Sequence, residues 1–202
     1  MDAGAARAVH TVIRATVATM HRHTVWAVMF AVVALPAFAT EPRPGREFTA
    51  TAVVDTPQGT RRMPVTLVVD RYTDPEQARA LKPTLEQGGQ SALLAALRGR
   101  QDGRLTLGAL QQSIALAVTV PTADGFWYLL ITPRTIKIAE TERGMDSLDY
   151  PFGVAVFEVG DFGTGEGELN VAGALAIDDE GYLTVADYQN APGRLLEIKK
   201  VR

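Results

Sequence analysis

The sequence predicts a mainly β protein, an antiparallel barrel or barrel-like sandwich of eight to ten strands with a helical hairpin inserted at about residues 73–99. Three observations carry this. Beyond residue 47 apolar and polar residues alternate with period two, as at Phe48, Ala50 and Ala52 around Thr49 and Thr51. The runs are short and divided by turn-forming clusters such as Pro57-Gln58-Gly59, Ala123-Asp124-Gly125 and Asn190-Ala191-Pro192-Gly193. One block alone shows helical spacing, with Ala78, Leu81 and Leu85 on one face.

Residues 1–39 read as a leader. His21, Arg22 and His23 precede an apolar stretch from Val25 to Leu35, and Pro36 leads into Ala37-Phe38-Ala39. That order is a secretory signal over 20–39 with small residues at the cleavage positions, which places translation start at Met20 and the cut after Ala39. The run is too short to span about 30 Å of hydrocarbon. The expectation is a periplasmic or secreted bacterial protein rather than an integral membrane one. Residues 40–46 form a linker stiffened by Pro42 and Pro44, and 47–202 form one β-rich domain.

The elements then follow in order. Strand patterns run through Phe48–Val54 and Val65–Val69. Thr73-Asp74-Pro75-Glu76 fits a capping box with Thr73 as N-cap. Pro83 kinks or ends that helix, Gly88-Gly89 is a hinge, and Gln90–Arg98 forms a second helix ending at Gly99. Ile114–Val120, the doubly apolar Phe126–Ile131, a run beginning at Ile136, and then Val154–Val159, Leu169–Ile177, Tyr182–Tyr188 and Leu195–Val201 complete the strands.

Composition excludes more than it assigns. The chain holds 20 basic and 23 acidic residues and no cysteine. Loss of Arg7, Arg14, Arg22 and Asp2 with the leader leaves an acidic chain, which argues against nucleic-acid binding. His10, His21 and His23 all lie in the leader, so the mature chain has neither histidine nor cysteine. A Ser-His-Asp triad, a thiol nucleophile, an iron–sulfur cluster and a disulfide framework are therefore out of reach. No cofactor or metal site is expected.

Arg71-Tyr72-Thr73-Asp74-Pro75-Glu76, Leu85-Glu86-Gln87-Gly88-Gly89-Gln90, Asp149-Tyr150-Pro151-Phe152 and Gly165-Glu166-Gly167-Glu168-Leu169 together resemble a family of uncharacterised exported bacterial single-domain proteins. The likeness covers roughly Phe48 to Arg202, with Tyr72 where the family carries tryptophan. It implies export and one domain, and brings no activity and no catalytic residue.

Several constellations hold residue types capable of chemistry. Asp161, Glu166 and Glu168 offer hard oxygens for calcium, but glycines among acids also make a hairpin turn. Glu140, Glu142, Asp146 and Asp149 are the least excluded catalytic set, as the carboxylate pair of a glycosidase. Ser91, Ser113 and Ser147 lack any nucleophile-elbow context. Trp127, Tyr128, Tyr150, Phe152 and Phe157 are the candidate ligand-binding residues, as aromatics around a cavity or barrel mouth. Inward alanines would leave that cavity room, and the Gly88-Gly89 hinge would make the second helix its lid. The expected role is thus a non-enzymatic module that binds a small apolar ligand, with interaction with an envelope protein as the alternative.

Overall fold

The computed structural model describes residues 45–56, 59–136, 149–178, 182–189 and 191–201. They build ten strands: β1 (Arg46–Thr56), β2 (Gly59–Val69), β3 (Gly103–Leu107), β4 (Leu110–Ile114), β5 (Leu116–Thr122), β6 (Gly125–Thr132), β7 (Phe152–Gly160), β8 (Thr164–Ile177), β9 (Leu183–Tyr188) and β10 (Gly193–Lys200). All pair antiparallel in the order β4-β3-β2-β1-β10-β8-β7-β6-β5, and β9 pairs the far half of β8. The sheet curls into a nearly closed barrel. The run expected at Ile136 begins with a buried residue outside any strand, and 137–148 lie outside the described residues.

Closure comes from one stretch of chain. β4 and β5 occupy the two ends of the strand order yet are separated only by Ala115. The Ala115 N–H donates to the Ile131 carbonyl at 2.8 Å, which turns the strand from β3 toward β6. The other edge of β5 meets the chain that leaves β2. There the Thr73 N–H donates to the Ala117 carbonyl at 2.7 Å, and the Ala117 N–H donates to Thr73 Oγ1 at 3.2 Å.

A buried carboxylate fixes this joint. Asp102 is fully buried, and its Oδ1 accepts from Arg71 Nε at 3.0 Å and Nη2 at 2.5 Å. Its Oδ2 accepts from Thr73 Oγ1 at 3.0 Å and Arg100 Nη2 at 2.9 Å. Its backbone carbonyl accepts the N–H groups of Asp70 and Arg71, while its own N–H donates to Ile114. Charge-assisted bonds of this kind are the strong class, and here they converge on the seam.

The alternation of side chains divides the core in two. Inside the barrel lie Phe48, Leu67, Leu105, Ile114, Tyr128, Leu130, Phe157, Leu169 and Ile198 with smaller neighbours. Outside it, Leu116, Leu129, Ile131, Phe152, Val154 and Leu175 form a second cluster with Leu93, Leu94 and Leu97.

Those three leucines belong to α2 (Lys82–Leu97), which follows α1 (Pro75–Arg79) in the connection from β2 to β3. The insertion thus falls where expected, with two corrections. Asp74, not Thr73, caps α1, its side chain accepting from the Glu76 N–H at 2.8 Å, because Asp102 has recruited Thr73. Pro83 sits in the first turn of α2, where its missing N–H costs nothing, and so opens a helix instead of ending one. The break falls at Gly89 (φ 63°, ψ −161°), a conformation that glycine reaches without strain.

The second half of α2 lies on the outer wall. Gln90 Nε2 donates to the Leu175 carbonyl at 2.7 Å and its Oε1 accepts the Leu175 N–H at 3.0 Å, at the register shift between β8 and β9. The helix is pinned there by a side chain acting as a short length of strand. A lid over the barrel mouth has no counterpart in this arrangement.

Candidate functional site

Strand geometry decides where the five candidate aromatics go. Trp127 and Tyr128 are consecutive on β6, so they face opposite sides. Tyr128 and Phe157 are register partners inside the barrel and stack with centroids 4.9 Å apart at 15°. Phe48 meets both edge-on, at 5.0 Å and 5.2 Å. Trp127 and Phe152 belong to the outer cluster under α2. Tyr150 is half-buried against the inner cluster and donates its hydroxyl to Asp187 Oδ2 at 2.8 Å. The five residues therefore do not line one site. Ala52, Ala117 and Ala172 do face the interior, and the aromatics occupy the space beside them.

The inner aromatic cluster has a polar end. Arg46 Nη1 donates to the Tyr128 hydroxyl at 3.2 Å, and its guanidinium lies 5.4 Å over the Phe126 ring. Tyr72 stands beside Tyr128 with centroids 6.3 Å apart, its hydroxyl buried without a hydrogen-bond partner. Burial, reinforced by Tyr128, pushes the Tyr72 pKa well above the tyrosine value of 10.0. Burial raises Tyr128 also, with Arg46 pulling the other way. Both hydroxyls stay protonated in the folded chain at a pH that ionises unfolded tyrosine. Their contribution to stability is complete below about pH 10 and is lost as pH rises through the folded values. Titration followed by tyrosinate absorbance should ionise fewer than the five tyrosines before unfolding begins, and Tyr128→Phe should reduce the alkaline loss of stability. Ionisation of all five in the folded protein would contradict the buried arrangement.

Of the two proposed acid sets, one falls almost entirely outside the described residues. Glu140, Glu142 and Asp146 lie outside the described residues, and Asp149 is exposed. Asp161, Glu166 and Glu168 are exposed along the β7–β8 hairpin. Among the described residues no three of His, Cys, Asp and Glu come together to hold a metal ion.

A polar depression lies at β3 and β4, where Arg104, Gln111 and Ser113 face outward and Gln112 faces the barrel interior with Leu105 and Ile114. Asp70, Gln101, Gly103, Arg104, Gln111, Gln112, Ser113 and Arg134 line a depression of about 260 Å³. Arg104 and Arg134 are exposed, and among the described residues neither guanidinium has a hydrogen-bonded or ionic partner. Gln112, 4% exposed, donates Nε2 to the Thr135 carbonyl at 2.9 Å, while its Oε1 is buried without a partner. An unsatisfied buried carbonyl costs about 1–3 kcal/mol, so its presence calls for a reason. Gln112 is in phase with Leu110 and Ile114, and that polar residue on an apolar face was the one signal available in the sequence. The arginines were indistinguishable from ordinary surface charge.

Neither a protein-family model, nor a curated protein, nor a solved structure matches this chain. Among the described residues no helix is long and apolar enough to cross a membrane. The site's own chemistry has to carry the functional reading.

Proposed function

We propose that this chain is an exported, non-enzymatic β-barrel module of the bacterial envelope, and that it works by binding at its outer surface. The observation that carries the reading is the filled interior. Phe48, Tyr128 and Phe157 are each at most 1% exposed and pack on one another where an apolar ligand would have to lie. Eight- to ten-stranded barrels are of the size that side chains can fill. The absence of His and Cys after residue 39 supports the non-catalytic part.

A second reading keeps the apolar ligand but moves it outside, between α2 and the sheet. It draws on the break at Gly89 and on Trp127 and Phe152 in the cluster beneath the helix. Native mass spectrometry of the protein exported with its own leader separates the two. The expected result is the mass of the chain beginning at Thr40, with no adduct. A stoichiometric apolar adduct would favour the second reading, and retention of residues 20–39 would overturn the export assignment.

A further inference from the structure

We propose that the outer wall of β5 to β8, beyond the part covered by α2, is a docking face for a protein partner that presents an apolar stripe flanked by lysine or arginine. The inference rests on the outer-surface reading above and adds the place and the partner's chemistry. Strand pairing fixes the direction of every side chain concerned. Ala155 and Phe157 of β7 face the barrel interior, so Val154, Val156 and Glu158 face outward. Their register partners share that side: Trp127 and Leu129 on β6, then Val118 and Val120 on β5, with Glu166 and Glu168 on β8. Outward positions of an antiparallel sheet in water are usually polar, as Arg104, Thr106, Gln111 and Ser113 are on β3 and β4. Here the wall is apolar over a longer stretch than the helix covers. Leu116, Leu129, Ile131, Phe152 and Val154 cluster with the leucines of α2 and are at most 1% exposed. Further along the same strands Val118, Val120, Trp127 and Val156 stay partly exposed.

The charges beside this strip select the partner. Glu158, Glu166 and Glu168 are exposed, and among the described residues none of them forms an ion pair. Glu158 is in direct register with Glu166, and like charges so placed are destabilising. The Thr122 hydroxyl donates to Glu158 Oε1 at 2.8 Å, which leaves that charge in place. Arg194 is in register with Glu168 and Lys199 with Thr164, while no described cation is in register with Glu158 or Glu166. A lysine or arginine set over the glutamate pair relieves the repulsion, and beside Trp127 it gains the face of the ring. An anionic lipid surface would meet three carboxylates, and a small apolar ligand would leave them unused. A second copy offers Arg104 and Arg134 only among polar neighbours, with no apolar stripe to match.

Trp127 is the one tryptophan after residue 39, so its fluorescence is a reporter placed on this face. The exported protein is titrated with an amphipathic helical peptide of leucine and lysine, with a scrambled peptide of the same composition, and with the counterpart carrying glutamate for lysine. The leucine–lysine peptide is expected to shift Trp127 emission to the blue saturably, binding at least about tenfold more tightly than either control. Glu158→Gln combined with Glu166→Gln changes only exposed side chains and should weaken that binding at least about tenfold. The same double variant should melt no lower than the parent, because the repulsion is gone. Val156→Thr, which keeps a β-branched residue on the strand, should weaken peptide binding as well. Absence of a saturable shift, equal affinity for a control peptide, or unaltered binding by the double variant would each overturn the proposal. Self-association in sedimentation that the double variant abolishes would overturn it in favour of a second copy. An apolar adduct in the mass spectrum would instead overturn the outer-surface reading while leaving the peptide response in place, so the two failures are distinguishable.

Discussion

Asp102→Ala is expected to lower the stability of the folded chain by roughly 3 kcal/mol, measured by denaturant unfolding. The loss does not come from Arg71, whose side chain is 68% exposed and whose ion pair is worth little in water. It comes from the buried Thr73 hydroxyl, from Arg100 at 26% exposure, and from the cavity left by the carboxylate. The damage should be local before it is global. Thr73 and Ala117 hydrogen-bond each other across the joint that Asp102 holds, so their amides should exchange with solvent much faster in the variant. Arg71→Ala, by contrast, should cost at most about 1 kcal/mol. An Asp102→Ala protein within about 1 kcal/mol of the parent would show that the carboxylate does not secure the closure.

Gly165→Ala is expected to be at least as damaging, at roughly 3 kcal/mol or more. A Cβ there would overlap the backbone carbonyl of Glu158 on β7, and backbone cannot rotate out of the way. Gly167 is held in the same manner by the Val156 carbonyl and by Phe157. Both glycines fall in β8 where it is clamped between β7 and β10. Their spacing in Gly165-Glu166-Gly167-Glu168 therefore reports close strand approach in a small barrel, without any need for a bound ion. A thermal-melt comparison with Gly163→Ala isolates the effect. Gly163, in the turn with φ 76°, has room for a methyl group but pays for its backbone angle alone, so its shift should be smaller. Equal shifts would remove strand approach as the cause.

Period and turn chemistry made the strands and the insertion readable, since each depends on residues within a few positions. What escaped was set at long range. The strand Gly103–Leu107 is five residues long and opens on glycine, too brief an alternation to stand out. Ile114-Ala115-Leu116-Ala117 reads as continuous strand, and the turn between its halves exists because Ile131 accepts the Ala115 N–H. Thr73 fits an N-cap locally, yet Asp102, 29 residues away, outcompetes the helix for its hydroxyl. For the binding residues the error was one of composition over phase. Trp127, Tyr128, Tyr150, Phe152 and Phe157 are dense in sequence, but adjacency on a strand sends side chains to opposite faces. Gln112 was visible as an interruption of an apolar face, while its unmet acceptor depends on where the Thr135 carbonyl lies.

The pairing of β1 with β10 places the first and last strands side by side in the interior of the sheet order, not at its margins. A polypeptide delivered amino-terminus first must therefore hold β1 with one edge bare until the last eight-residue strand arrives. At synthesis rates of about 5–20 residues per second, that interval is roughly seven to thirty seconds. During it the β1–β2 hairpin is the species at risk of pairing with the wrong neighbour. Its own sequence is suited to the wait: Thr49 and Thr51 alternate through β1, and Arg61 and Arg62 stand exposed on β2. The barrel's late seam thus sets a delay between delivery and maturation, and the hairpin that begins the fold is built to stay soluble through it.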